Sequence, residues 1–113
     1  MAEAPARSGP SSIGASAAAI YTAGGASTWA IMRSFVVTNS DTVPRWFTLG
    51  IHTSAADSQP KRIANRIQLQ PNQQYIWEGF LPLLGHASTP DILYGLAEVA
   101  DQITISIGLL TGP

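Results

Sequence analysis

Residues 20–53, IYTAGGASTWAIMRSFVVTNSDTVPRWFTLGIHT, decide the fold class, because they read as strand, glycine turn, long strand, polar turn, strand. Along the long strand Trp29, Ile31, Phe35 and Val37 fall on one face of the pleat, with Arg33 the exception. Phe47, Leu49 and Ile51 share one face of the next strand. Between the two, Asn39, Ser40, Asp41 and Thr42 carry side chains that bond their own backbone in turns, and Pro44 stops any helix from running through. A period of two, punctuated by turn residues, is an all-β pattern.

The second half continues it. Arg62 to Leu69 sets Ile63, Ile67 and Leu69 against Ala64, Arg66 and Gln68. After the turn Gln70, Pro71, Asn72, Gln73, the next strand sets Tyr75, Trp77 and Leu81 against Ile76, Glu78 and Phe80. Aromatics on both faces imply that this strand is covered on both sides. Pro82, Gly85 and Pro90 break the chain, and Asp91 to Val99 resumes as a strand with an Ile92, Tyr94, Leu96 face, although Ile92, Leu93, Leu96 and Val99 also fit a helical period. Gln102 to Leu110 is the cleanest alternation, and it predicts a central strand with Ile103, Ile105, Ile107 and Leu109 in the core. About seven short strands imply an antiparallel β-sandwich, jelly-roll or immunoglobulin-like in topology. There is no Cys-Trp-Cys pattern of a true immunoglobulin domain, and no internal repeat.

Composition narrows the function classes. A chain of 113 residues is one domain, large enough to bury roughly 65% of its unfolded surface. Without cysteine it has neither disulfides nor thiolate chemistry. Charged residues are 12% of the chain and the formal net charge is −1, against ~25% charged in ordinary soluble domains. A weakly charged surface favours association, and it lacks the basic stripe of a nucleic-acid binder. No apolar run approaches the ~20 residues of a helical membrane span, so neither nucleic acid nor membrane is expected as a partner. Residues 1–19, rich in Ala, Gly, Ser and Pro, have no apolar region of signal-peptide kind. They read as an extended N-terminal arm, held by a neighbouring subunit, by docking on its own domain or by a short helix over Ala15 to Ala19, ahead of a β-sandwich domain over residues 20–113.

The residues of chemistry do not gather. His52 and His86 lack an i+2 or i+4 partner for a metal pair, Glu78 and Glu98 read as outward strand residues, and nothing matches a nucleophile with its base. No catalytic residue, metal or cofactor is expected. Lys61, Arg62 and Arg66 form a short basic cluster, too small an electrostatic footprint for nucleic acid. Trp46 lies out of phase with Phe47, Leu49 and Ile51 and so points outward, as an interface anchor does. Trp29 and Trp77 are expected in the core. The interface candidates are therefore Pro5, Arg7, Pro10 and Ile13 in the arm, with Trp46, Lys61, Arg62 and Arg66 on the domain.

The opening strand Ile20 to Ala23, the turn at Gly24 and Gly25, the long strand closing in Val37-x-Asn39 and the strand Thr48 to Ile51 resemble the small β-sandwich structural proteins of tailed-phage virions. Asn65 to Leu83 follows the same family's habit of a short strand, a proline-plus-polar turn and an aromatic strand. Gly24 and Gly25 stand where that family usually has a proline-glycine turn. The resemblance implies a non-enzymatic virion protein, a capsid decoration or cement subunit or a neck or tail accessory subunit. Such a protein assembles through its arm and sheet edges with other capsid, neck or tail proteins and with copies of itself. The alternative is a carbohydrate- or receptor-binding β-sandwich module of a tail fibre, in which Trp46 and Tyr94 would stack on sugars.

Overall fold

Among the described residues, eight strands pair as one long hairpin folded back on itself: β1 (Ala4–Ile13), β2 (Ala18–Thr22), β3 (Trp29–Asn39), β4 (Arg45–His52), β5 (Arg62–Leu69), β6 (Gln74–Leu84), β7 (Ile92–Ala97) and β8 (Ile103–Gly112). The structure is a computed structural model that describes residues 4–25, 27–54 and 56–112, with the side chains of all of these except 4, 5, 6, 8 and 59. β1 pairs with β8, β2 with β7, β3 with β6 and β4 with β5, always antiparallel. Wrapping that hairpin sends alternate pairs to opposite layers, giving sheets of order β1-β8-β3-β6 and β2-β7-β4-β5. Two packed sheets with this pairing are a jelly roll, which resolves the choice that alternation alone leaves open.

The core lies between the sheets. Ile13, Met32, Phe35, Val37, Leu83, Ile103, Ile105, Ile107 and Leu109 enter from one layer, and Phe47, Leu49, Leu69, Leu93 and Ala97 from the other. Phe35 stacks on Trp77 and Tyr75 with ring centroids 5.3 and 5.9 Å apart, and Tyr75 meets Phe47 edge-on at 5.8 Å, so aromatic rings bridge the layers. β8 sits between β1 and β3 with its isoleucines buried, as its regular alternation predicts.

Two expectations are corrected. Residues 4–13 dock on their own domain, one of the expected ways of holding them, but as a strand of the sandwich and not as an arm ahead of it: they form β1, hydrogen-bonded along β8 from Ala4 opposite Thr111 to Ile13 opposite Ile103. Small polar residues suffice there because an edge strand gains its ladder from the partner, and Ile13 supplies the apolar anchor at 2% exposure. No helix forms over Ala15 to Ala19, where the chain bends into β2.

The second correction concerns phase. β3 spends the two steps from Met32 to Ser34 where β8 spends the single step from Leu109 to Gly108, so Arg33 is an inserted bulge residue. Upstream of it Trp29 and Ile31 point outward; downstream Phe35 and Val37 point inward. β5 does the same at Asn65 and Arg66: Leu49 lies opposite Ala64 but Phe47 opposite Ile67. Arg66 takes a positive φ of 48° and its N–H donates to the Thr48 hydroxyl at 3.0 Å. Ala64 is therefore buried and Ile63 is 43% exposed, the reverse of simple alternation.

β7 is the strand expected there, and its inward residues are Leu93, Gly95 and Ala97, opposite Ile51, Leu49 and Phe47. The Ile92, Tyr94, Leu96 face is the outer one.

Two measurements check this layout. Ile105→Asp puts an unpaired carboxylate in the core and is expected to cost about 3–5 kcal/mol, whereas Thr104→Asp on the opposite face leaves the thermal midpoint nearly unchanged; equal melts would refute the register of β8. A chain beginning at Ala18 loses β1 and Ile13, and its calorimetric midpoint is expected to fall by about 10 °C or more. A separable arm would be removed without thermal consequence.

Candidate interaction surface

The bulge at Arg33 builds an apolar outer face on the β1-β8-β3-β6 sheet. Register sets Trp29 beside Leu84 and Gly112, Ile31 beside Pro82 and Leu110, and Val36 beside Ile76 and Ser106. The Trp29 indole lies across Gly112, where any side chain would collide with it. On β6 the outward residues Ile76, Phe80 and Leu84 are 60%, 64% and 62% exposed, while Trp29, Ile31, Val36 and Leu110 are half-buried. The charges this face carries among the described residues are Arg7, Arg33 and Glu78. Arg33 Nε donates to the Gly79 carbonyl at 3.0 Å, which holds its guanidinium along the surface. Contiguous exposed apolar area of this kind marks an interaction site.

The sheet edges are poor docking sites by comparison. Leu84 turns both its N–H and its carbonyl to Asp91, each at 2.9 Å, so Pro82, two residues back, presents its donor-less nitrogen on the free edge of β6. β1 shifts register between Ser8 and Ser11, around Pro10. β2 has five residues and a register shift, and β5 is broken at Arg66. Irregular, proline-bearing edges resist strand addition.

The centre of the other sheet's outer face is covered by its own loop. Tyr94 lies over Gly50, which has no room for a side chain beneath the ring, and the loop reaches it at Asp57 and Ser58. The Tyr94 hydroxyl donates to Asp57 Oδ1 at 2.8 Å and accepts from the Ser58 N–H at 3.1 Å. Arg62 clasps the same carboxylate through Nε at 3.1 Å and through Nη2, and its Nη1 donates to Asn65 Oδ1 at 2.6 Å. The Arg62 hydrogen bonds, with help from Tyr94 and against the cost of desolvation, hold the Asp57 carboxyl down at about 2. Burial pushes the Tyr94 phenol up.

The expected interface residues are dispersed by the fold. Ile13 is a core residue. Arg7 and Pro10 are exposed on the β1 edge; Pro5 pairs with Leu110 through its backbone, and its side chain lies outside the described set. Trp46 points outward but is half-buried, with the Arg66 guanidinium 4.7 Å above its ring, within cation–π range. Arg62 is consumed by Asp57, leaving Lys61 exposed at the end of a short 3₁₀ turn, Gln59–Lys61. The histidines serve local turns: the Thr53 N–H donates to His52 Nδ1 at 2.7 Å, and the N–H groups of Ser88 and Thr89 donate to His86 Nδ1 at 3.0 Å each. Among the described residues no three His, Asp or Glu side chains gather at one point, and no pocket is enclosed.

The residues that sequence reasoning passed over are Trp29, Ile31, Phe80 and Leu84. Their signals are the doubly apolar β6, which alternation reports as covered on two sides, and Arg33 in the apolar phase of β3.

No family model matches the chain, and no curated protein matches it. Among solved structures, a chain in the structure of infectious bursal disease virus, Gx strain, is similar over 96% of this chain with a TM-score of 0.45 at 12% identity. This chain spans 30% of the length of that one.

The clasp has a pH signature. Because the folded carboxyl of Asp57 sits near 2, below the ~3.9 of an unperturbed aspartate, its stabilisation is present above about pH 4 and is lost as pH falls toward 2. The melting temperature of Asp57→Asn is expected to lie below that of the unaltered chain at pH 6, the gap closing between about pH 4 and pH 2. A constant gap over that range would show that the carboxylate charge is irrelevant.

Proposed function

We propose that this protein is a non-enzymatic structural subunit of a virion, of the tailed-phage kind its sequence resembles, incorporated through the apolar outer face of the β1-β8-β3-β6 sheet. The observation that carries this reading is the exposure of Ile76, Phe80 and Leu84 on one strand of a jelly roll whose opposite face is covered at its centre, over Tyr94 and Gly50, by its own loop. Apolar burial supplies about 25 cal/mol per Å² before the entropic costs of association, and salt does not screen it. The sparse charge of the face fits a partner met through packing.

The polar groups support a structural reading as well. Asp57, Arg62 and Tyr94 are committed to one clasp, and Asp41, Arg45 and Glu98 to another, with Arg45 Nε 2.7 Å from Asp41 and Nη1 3.4 Å from Glu98. A sugar-binding alternative asks for an open aromatic platform, whereas Trp46 has one face under Arg66.

Quantitative mass spectrometry of purified virions that carry the chain tests the proposal. The expected result is a fixed, multi-copy stoichiometry that persists when ionic strength rises from about 0.05 to 0.5 M. Phe80→Asp is expected to melt at the temperature of the unaltered protein and to be lost from particles. Absence of the chain from virions, or undiminished incorporation of Phe80→Asp, would overturn the reading.

A further inference from the structure

We infer that the outer face of the β1-β8-β3-β6 sheet docks a second copy of this chain, the two copies related by a two-fold axis that crosses Arg33 of each over Glu78 of the other. The inference rests on the structural-subunit reading above and names its partner.

Size is the first argument. Strands of ten and eleven residues in a four-stranded layer make a face of about 35 by 19 Å. That is roughly 700 Å², close to the ~800 Å² per partner of a stable interface. A partner that is itself flat and extended fits such a face, and no pocket is enclosed among the described residues.

Charge is the second. Ser34 lies opposite Glu78 in the β3–β6 ladder, so Arg33 and Glu78 stand side by side near the middle of these two strands. Among the described residues, no ion pair joins them to a group of their own chain. An isologous contact repeats every pairing twice, and an axis passing between these residues sets each guanidinium against the other copy's carboxylate. The rest of the two strands' outer face is apolar or neutral: Trp29, Ile31, Ser34, Val36 and Thr38 on β3, Ile76, Phe80, Pro82 and Leu84 on β6. With a formal net charge of −1, two copies repel little. The crossed pairs therefore fix the register, and the apolar side chains supply the affinity.

The edges are the third. Pro82 on the free edge of β6 and the register shift of β1 discourage two copies from joining side by side into one continuous sheet. Face-to-face stacking at the ~10 Å spacing of packed sheets remains.

The test is analytical ultracentrifugation of the purified full-length chain with a charge-reversal cycle. The unaltered protein is expected to sediment as a dimer at micromolar concentration. Arg33→Glu and Glu78→Arg, each placing like charges at both crossings, are each expected to weaken the dimer at least about tenfold, and the double variant to recover most of that loss. Melting temperatures of all four proteins establish that each is folded. A chain that stays monomeric, or a dimer indifferent to both reversals, overturns the inference. If the chain is monomeric but Phe80→Asp still abolishes incorporation into virions, the face serves a different partner and the structural-subunit reading survives. If Phe80→Asp incorporates normally, both fail.

Discussion

The side chain of Asn39 ties the two sheets together where the folded hairpin turns over. It closes β3 in one layer, is wholly buried, and its amide nitrogen donates at 3.0 Å to the carbonyl of Val43, just before β4, and at 3.0 Å to that of Leu69, the last residue of β5. Its carbonyl oxygen accepts from the Asp41 N–H at 2.9 Å. Its backbone joins the β5–β6 turn through Gln73 and Asn72 at 3.1 and 2.8 Å. Of the side chains short enough to fit, only a carboxamide offers two donors and an acceptor at once. An apolar residue there would leave buried backbone carbonyls without partners, at about 1–3 kcal/mol each. No buried side-chain polar atom among the described residues lacks a partner, so this junction holds without an unpaired group.

From that junction the two layers acquire different outer faces. In the β4–β5 connection Asp57 and Ser58 lie over Tyr94 and Gly50, and the Asp57–Arg62 clasp keeps them there, so the centre of the β2-β7-β4-β5 sheet's outer face is covered by its own chain. The opposite sheet has no such connection. Its outward residues are apolar all the same, because the bulge at Arg33 turns Trp29 and Ile31 to the side that β6 already lines with Phe80 and Leu84. One face covered at its centre from within and the other left open is the asymmetry from which the docking proposal follows.

This surface was half legible in the sequence. Alternation in β6 showed that both sides of that strand carry apolar residues and led to the expectation of cover on both, whereas the second side, with Ile76, Phe80 and Leu84, is exposed. It did not show that Trp29 and Ile31 join it, because a period of two carried through β3 assigns them to the core with Phe35. Arg33 was the visible clue. A charged residue in the apolar phase of a long strand marks either an exception or a bulge, and in β3 it marks a bulge. The basic cluster misled for a related reason: proximity in sequence does not reveal that Arg62 is spent on Asp57, five residues away across a loop.

The sequence by itself determined that the chain is all β, where its turns fall, and that Ile103, Ile105, Ile107 and Leu109 line the core, since these follow from local alternation and from residues whose backbone preferences are local. Only the tertiary structure decided that residues 4–13 are a strand, that the topology is a jelly roll and which residues face outward on β3, β5 and β7. An edge strand of Ser, Pro and Ala has no periodic signal of its own; its order comes from hydrogen bonds to β8, about a hundred residues later in the chain. Phase after a bulge depends on the register with a neighbouring strand, and register belongs to pairs of strands that are distant in sequence.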